Sequence, residues 1–159
     1  MTLSQDPAVH AGWMQEALRE AEAAGLRGEV PVGAVVVRAG EAVARAGNRM
    51  RELCDPSAHA EMLALRAACR TLGRRLSGCV LYVTLEPCAM CAGFLAQLGL
   101  TAVVFGARDV QAGCCGSVYD LCEDPALPYA PTLACGGVLE ERCAKLLEDF
   151  FKTRRKRDA

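Results

Sequence analysis

His59-Ala60-Glu61, followed after 25 residues by Pro87-Cys88-Ala89-Met90-Cys91, is the stretch around which the rest of this chain is organised. One imidazole and a Cys-x-x-Cys pair offer three donors suited to a divalent zinc. Three protein ligands with an open fourth position are the pattern of a catalytic zinc, whereas structural sites are closed by four. The Glu61 carboxylate, two residues from His59, is placed to handle the protons of a water in that fourth position. A closed alternative, with Cys54 as fourth ligand beside His59, Cys88 and Cys91, would leave Glu61 without a role.

The spacing makes geometric demands. Cys88 and Cys91 are three apart, so at a helix start both sulfurs reach one side, and Pro87 suits a first turn, where its missing N–H costs nothing. His59 and Glu61, at i and i+2, do not share a face in mid-helix. They converge only at a helix N-terminus, which agrees with the break at Asp55-Pro56-Ser57 and the cap it offers. Both helices would then aim free N–H groups and the positive end of the dipole at the donor set, favouring thiolate and hydroxide.

Outward from the motif, the periodicities predict an α/β chain with a mixed sheet. Asp6-Pro7 starts a helix carrying Trp13, Met14, Ala17, Leu18 and Ala21 at helical spacing, closed by Gly25. Val30 to Val37 reads as a buried strand, Ala39-Gly40-Glu41 as its turn, and Ala42 to Asn48 as an antiparallel partner. A helix is expected from His59 to about Thr71, a strand from Cys79 to Leu85, a helix from Pro87 to about Leu98 and a strand from Ala102 to Phe105. A Gly-rich loop through Gly113 and Gly116 follows, then a short helix near Tyr119 to Cys122 and a weak strand around Leu133. Glu140 to about Arg155 is the last helix. No repeat or linker divides the chain, so one domain over 1–159 is expected, ending in a basic helix or tail over about 152–159.

Apolar residues make up 52% of the 159, enough for a sizeable core. No run reaches the roughly 18 apolar residues of a membrane span, and the N-terminus lacks the basic and apolar regions of a secretory signal. A cytoplasmic address is expected. The ten cysteines are then read mainly as thiols, with Cys69, Cys79 and Cys143 as small buried apolar residues. The adjacent Cys114 and Cys115 lie in a loop, where metal binding or redox activity stays open. The net charge of −1 conceals a cationic C-terminus with Lys152, Arg154, Arg155, Lys156 and Arg157. Such a run is either a solvated tail or a grip on phosphates.

His-x-Glu followed by Pro-Cys-x-x-Cys resembles the zinc-dependent nucleoside and base deaminases. Glu29 to Ala34, Asp55 to Glu61, Leu81 to Cys88 and Val104 to Asp109 further resemble the bacterial tRNA adenosine deaminases, over nearly the whole chain from about Trp13 to Arg155. That resemblance implies a three-layer α-β-α cytidine-deaminase-like fold with a five-stranded mixed sheet. It also implies one zinc per subunit on His59, Cys88 and Cys91, a homodimer, and a tRNA anticodon stem-loop as substrate, whose wobble adenosine becomes inosine. Glu61 would take a proton from the activated water and deliver protons to N1 of adenine and to the departing ammonia. Asn48 matches a position that hydrogen-bonds the flipped nucleotide, though Asn is also a turn former. Val30 and Ala60 match pocket positions whose backbone meets the base, and Asp109 a loop position near the sugar. Arg108, Lys152, Arg154 and Arg155 would contact phosphates. Phe150 and Phe151 would either stack on an unpaired base or anchor the last helix. Cys54 and Cys114-Cys115 depart from the family pattern.

Two other functions compete. A deaminase of free guanine, cytosine or cytidine would use the same zinc and Glu, but needs neither the long match nor the basic C-terminus. A non-catalytic RNA-binding subunit would have no use for Glu61 and all three donors.

Overall fold

The computed structural model describes residues 2–159; Met1 of the expected 1–159 span lies outside them. Helix α1 (Pro7–Leu26) begins as its sequence predicts: the Asp6 side chain accepts from the Ala8 N–H at 2.9 Å and Pro7 occupies the first turn. Gly25 does not end it. The helix runs to Leu26 and is closed by Arg27, whose N–H returns to the carbonyls of the last turn, and the chain then reverses at Gly28 with φ +84°.

Strands β1 (Gly33–Arg38) and β2 (Glu41–Gly47) form an antiparallel hairpin. Both residues of its turn, Ala39 and Gly40, have positive φ, the geometry that matches the strand twist in a two-residue loop. The expected strand from Val30 is shorter than predicted. Val30 to Val32 is not paired in the sheet, and the Val32 N–H turns back to the Val30 carbonyl at 2.8 Å. Helix α2 (Ala60–Leu72), strand β3 (Cys79–Leu85), helix α3 (Ala89–Leu98), strand β4 (Ala102–Ala107), strand β5 (Leu133–Cys135) and helix α4 (Glu140–Asp158) complete the order.

The five strands lie in the order β2-β1-β3-β4-β5, with β1 antiparallel to β2 and β3 and the last three parallel. Alternation along the strands sends side chains to two separate cores. Ala34, Val36, Leu81, Val83, Val103 and Phe105 face Ala64, Leu65 and Leu95 of α2 and α3. Val35, Val37, Tyr82 and Val104 face Met14, Ala17 and Leu18 of α1 and Cys143 of α4. Three layers, α-β-α, result. Gly33 allows the α1 layer its close approach, since a Cβ there would collide with the Ala17 carbonyl.

The short helix expected at Tyr119–Cys122 is absent. Cys115 instead pairs with Asp120 in an antiparallel bridge, and the Gly116 N–H donates to the Tyr119 carbonyl at 2.9 Å, so this stretch is a tight hairpin. Cys79 and Cys143 are buried as expected, while Cys69 is half-buried.

Candidate active site

The carboxyl ends of the parallel strands are where α/β sheets hold their ligands, and β3 and β4 point theirs at the starts of α2 and α3. His59 is the N-cap of α2 and Cys88 the N-cap of α3, and neither caps its helix by a side-chain hydrogen bond. Their side chains are turned toward each other instead. His59 Nδ1 lies 3.7 Å from Cys88 Sγ and 3.5 Å from Cys91 Sγ. Tetrahedral zinc with ordinary Zn–S and Zn–N bonds places N and S about 3.6 Å apart. These three residues form the one group of three or more His, Cys, Asp or Glu among the described residues with donor atoms all within 4.8 Å of one another. Cys54 is not part of it; its thiol is exposed and lies 3.7 Å from the Arg51 carbonyl.

The donors compete for protons. Hydrogen bonds from Cys91 and His59 hold the Cys88 thiol down at about 3. The contact with Cys88, together with burial, pushes Cys91 up, and His59 is raised by its bond to Cys88 against the effect of burial. A soft anionic sulfur beside an imidazole is the chemistry zinc binding requires. Glu61, in the first turn of α2, is 4% exposed. Burial lifts its carboxyl to about 7, opposed by its own backbone N–H and by His59. A divalent cation nearby would act in the same sense as His59 and favour the carboxylate.

A cavity of about 270 Å³ opens onto these groups. Val30, Asn48, His59, Glu61, Cys88 and Asp109 all line it. Six of the residues singled out in the sequence therefore line one cavity. Cys91 lies buried behind Cys88. Ala60 is buried, with its N–H donating to Asn48 Oδ1 at 2.8 Å. That bond supplies the helix cap expected from the break at Asp55-Pro56-Ser57; within that break, Asp55 Oδ1 instead accepts from the N–H and hydroxyl of Ser57. Arg108, Phe151 and Arg154 do not line the cavity. Arg108 is exposed, its guanidinium 5.7 Å from the Phe105 ring centroid. Arg154 lies 5.5 Å from the centroid of Phe150, whose ring meets that of Phe151 edge-on.

Two buried carboxylates shape the walls without having been assigned a role in the sequence. Glu86 accepts from the N–H groups of Asp109, Cys115 and Ser117 at 3.0, 3.1 and 3.0 Å and from the Ser117 hydroxyl. It therefore ties the loop after β4 to the turn that carries Cys88. Burial raises its carboxyl, but the bonds from Ser117, Asp109 and Cys115 outweigh this and leave it below the ordinary value. Glu29 accepts from the N–H groups of Arg51 and Glu52 at 3.2 and 2.8 Å, fixing the turn after Asn48. The signal available was a Glu wedged between an apolar strand and Pro87, and one beside the apolar Val30 segment: carboxylates in such places are held by buried donors.

The profile of the cytidine and deoxycytidylate deaminase zinc-binding region matches residues 7–107, and the chain belongs to that family. The tRNA-specific adenosine deaminase of Bacillus subtilis is 47% identical over 147 residues, 91% of this chain and 90% of that protein. Its counterpart from Aquifex aeolicus is 44% identical over 88% of this chain and 92% of its own length. A structure solved in studies of A-to-I editing by tRNA:A34 deaminases superposes with a TM-score of 0.81 at 44% identity, covering 86% of this chain and 99% of that one.

Proposed function

We infer that this chain is a zinc-dependent hydrolase that converts the wobble adenosine of a tRNA anticodon to inosine. The observation that carries this is the convergence of His59, Cys88 and Cys91 into one donor set, with His59, Cys88 and Glu61 in the wall of one cavity. Similarity to tRNA-specific adenosine deaminases over about nine-tenths of the chain supports the choice of ring and of RNA.

His59, Cys88 and Cys91 would hold the zinc, which when bound would supply a water acidic enough to act as a nucleophile near neutrality. Glu61 accepts a proton at its carboxylate and returns protons to N1 of the ring and to the leaving amine, so adenosine and water become inosine and ammonia. Asn48 Oδ1 is occupied by the Ala60 N–H, which leaves its amide N–H groups to donate to the base. Val30 supplies an apolar wall. One Asp109 oxygen is held by the N–H groups of Gln111 and Ala112, and the other is left to accept from a ribose 2′-OH.

The extended wall has two sides. Val30 and Val32 face the cavity, while Pro31 between them lines a separate groove of about 440 Å³ with Arg51, Phe150, Arg154 and Arg157. Nucleotides flanking the flipped adenosine run there, with Arg108 and the exposed cations of α4 on their phosphates. The chain acts as one deaminase unit over 1–159, as a homodimer, in the cytoplasm. Among the described residues no helix is long and apolar enough to cross a membrane.

The test is to incubate zinc-loaded protein with an anticodon stem-loop carrying a wobble adenosine and, separately, with adenosine, cytidine and guanine. Inosine formed in the RNA alone is the expected result. Turnover of a free base or nucleoside without turnover of RNA would replace this reading with that of a small-molecule deaminase.

A further inference from the structure

Of the two adjacent loop cysteines, the one that finds a sulfur partner does so away from its neighbour. Cys115 Sγ lies 3.1 Å from Cys122 Sγ, seven residues on, with both side chains buried. Cys114 turns elsewhere, its thiol 3.5 Å from the Ala112 carbonyl. The two paired thiols sit at the base of the hairpin that replaced the expected helix. Its backbone is fixed on every side: Gly116 N–H to Tyr119 carbonyl at 2.9 Å, Leu121 N–H to Cys114 carbonyl at 3.0 Å, and Thr132 N–H to Cys122 carbonyl at 2.8 Å. A disulfide needs side chains that already face each other across such a base, so that closure takes only a small rotation.

We propose that Cys115 and Cys122 form a site of reversible oxidation, at which a hydroperoxide converts the two thiols into a disulfide that staples the active-site loop. One sulfur, as its thiolate, attacks a peroxide oxygen: the S–O bond forms, the O–O bond breaks, and the leaving oxygen takes up the thiol's proton, releasing an alcohol or water and leaving a sulfenic acid. The second thiol displaces water from that sulfur and the S–S bond forms. In sum, two thiols and one hydroperoxide give one disulfide, one alcohol or water from the peroxide, and one water.

The position gives the bond its consequence. The Cys115 N–H donates to Glu86, Ser117 within the hairpin donates to the same carboxylate, and the Cys114 N–H donates to the Pro87 carbonyl at 2.8 Å. A staple across the hairpin base therefore holds the loop against the turn that bears Cys88. Closing this loop removes conformations from its opened state, so local opening becomes rarer. Formation of the bond does not depend on the deaminase reading.

Zinc-loaded protein treated with hydrogen peroxide, alkylated and digested tests this directly by mass spectrometry. No Lys or Arg lies between Arg108 and Arg142, so both cysteines fall on one tryptic peptide. The expected product is that peptide with Cys114 and Cys135 alkylated and an internal Cys115–Cys122 link, two hydrogen masses below the form with those two thiols free, reopened by dithiothreitol and lost in Cys115→Ser and in Cys122→Ser. Zinc content stays unchanged, and chymotryptic cleavage after the exposed Tyr119 slows about tenfold in the oxidised wild type. The wild-type measurements hold even where a variant fails to fold. The proposal is overturned if Cys115 and Cys122 are recovered alkylated while exposed Cys54 is oxidised. It is equally overturned if either links to another cysteine, or if a Cys88–Cys91 disulfide with zinc release is the first product.

Discussion

Around the starts of α2 and α3, polar side chains are buried and held: Glu86 by four donors, Glu29 by two, and Asn48 by the Ala60 N–H. Along α4 the opposite holds. Only Cys143 is fully buried there, and Lys152, Arg155, Lys156 and Arg157 stand in solvent. The first region can fix atoms to within a fraction of an ångström, as bond-breaking chemistry demands. The second offers charge without fixed geometry, which suits a flexible polyanion. Under the proposed function, chemistry and RNA grip are separable, and substitutions in the two regions should fail in different ways.

The largest effects belong to the donor set. His59→Ala or Cys88→Ala should remove zinc, measured by metal analysis of the purified protein, and deaminase activity should fall to background. Chelator treatment of the wild type should do the same, with recovery on adding zinc back. Asn48→Ala comes next, because it removes the α2 cap and, under the proposed function, a contact to the base. Loss of the α2 cap should cost about 1 kcal/mol in denaturant unfolding, and turnover should drop by more than that stability loss explains. In the open region, Arg154→Ala should weaken stem-loop binding only a few-fold and lower the slope of log affinity against log salt by roughly one. The rate of bound substrate should stay near wild type. Equal loss of rate and affinity would collapse the distinction between the regions.

The smallest effect is a matter of pH. Glu86 titrates below its ordinary 4.5 in the folded protein, so its contribution to stability is fully present above that value. It is lost as pH falls through the lowered folded value. Unfolding of Glu86→Gln should therefore depend less steeply on pH in the acid range than that of the wild type, measured by thermal melts from neutral to acid.

The closed region was also the more legible. His59, Glu61, Cys88 and Cys91 announced themselves because metal ligation ties residue type to spacing, and the i, i+2 offset demanded a helix start that the structure has. The sheet followed from the apolar, β-branched runs over Val30 to Val37 and Cys79 to Leu85. What the sequence left out was long-range. Tyr119 to Cys122 carries too few residues to separate helix from hairpin, and Glu86, more than 30 residues away, helps decide it. Asn48 was seen as a base contact or a turn former, while the structure gives its oxygen to the Ala60 N–H across the start of α2. Along α4, helical periodicity located the helix. It did not show that Arg154 faces a groove apart from the cavity, which depends on how α1 and α4 pack.

In the proposed mechanism Glu61 carries the protons, and removing its carboxylate leaves the three metal donors in place. Glu61→Ala protein, checked for one zinc per chain and for wild-type stem-loop affinity, should be assayed for inosine under single-turnover conditions. A fall in rate of at least about 10³ with zinc and RNA binding retained is the predicted outcome. Deamination near the wild-type rate by that zinc-loaded variant would contradict it.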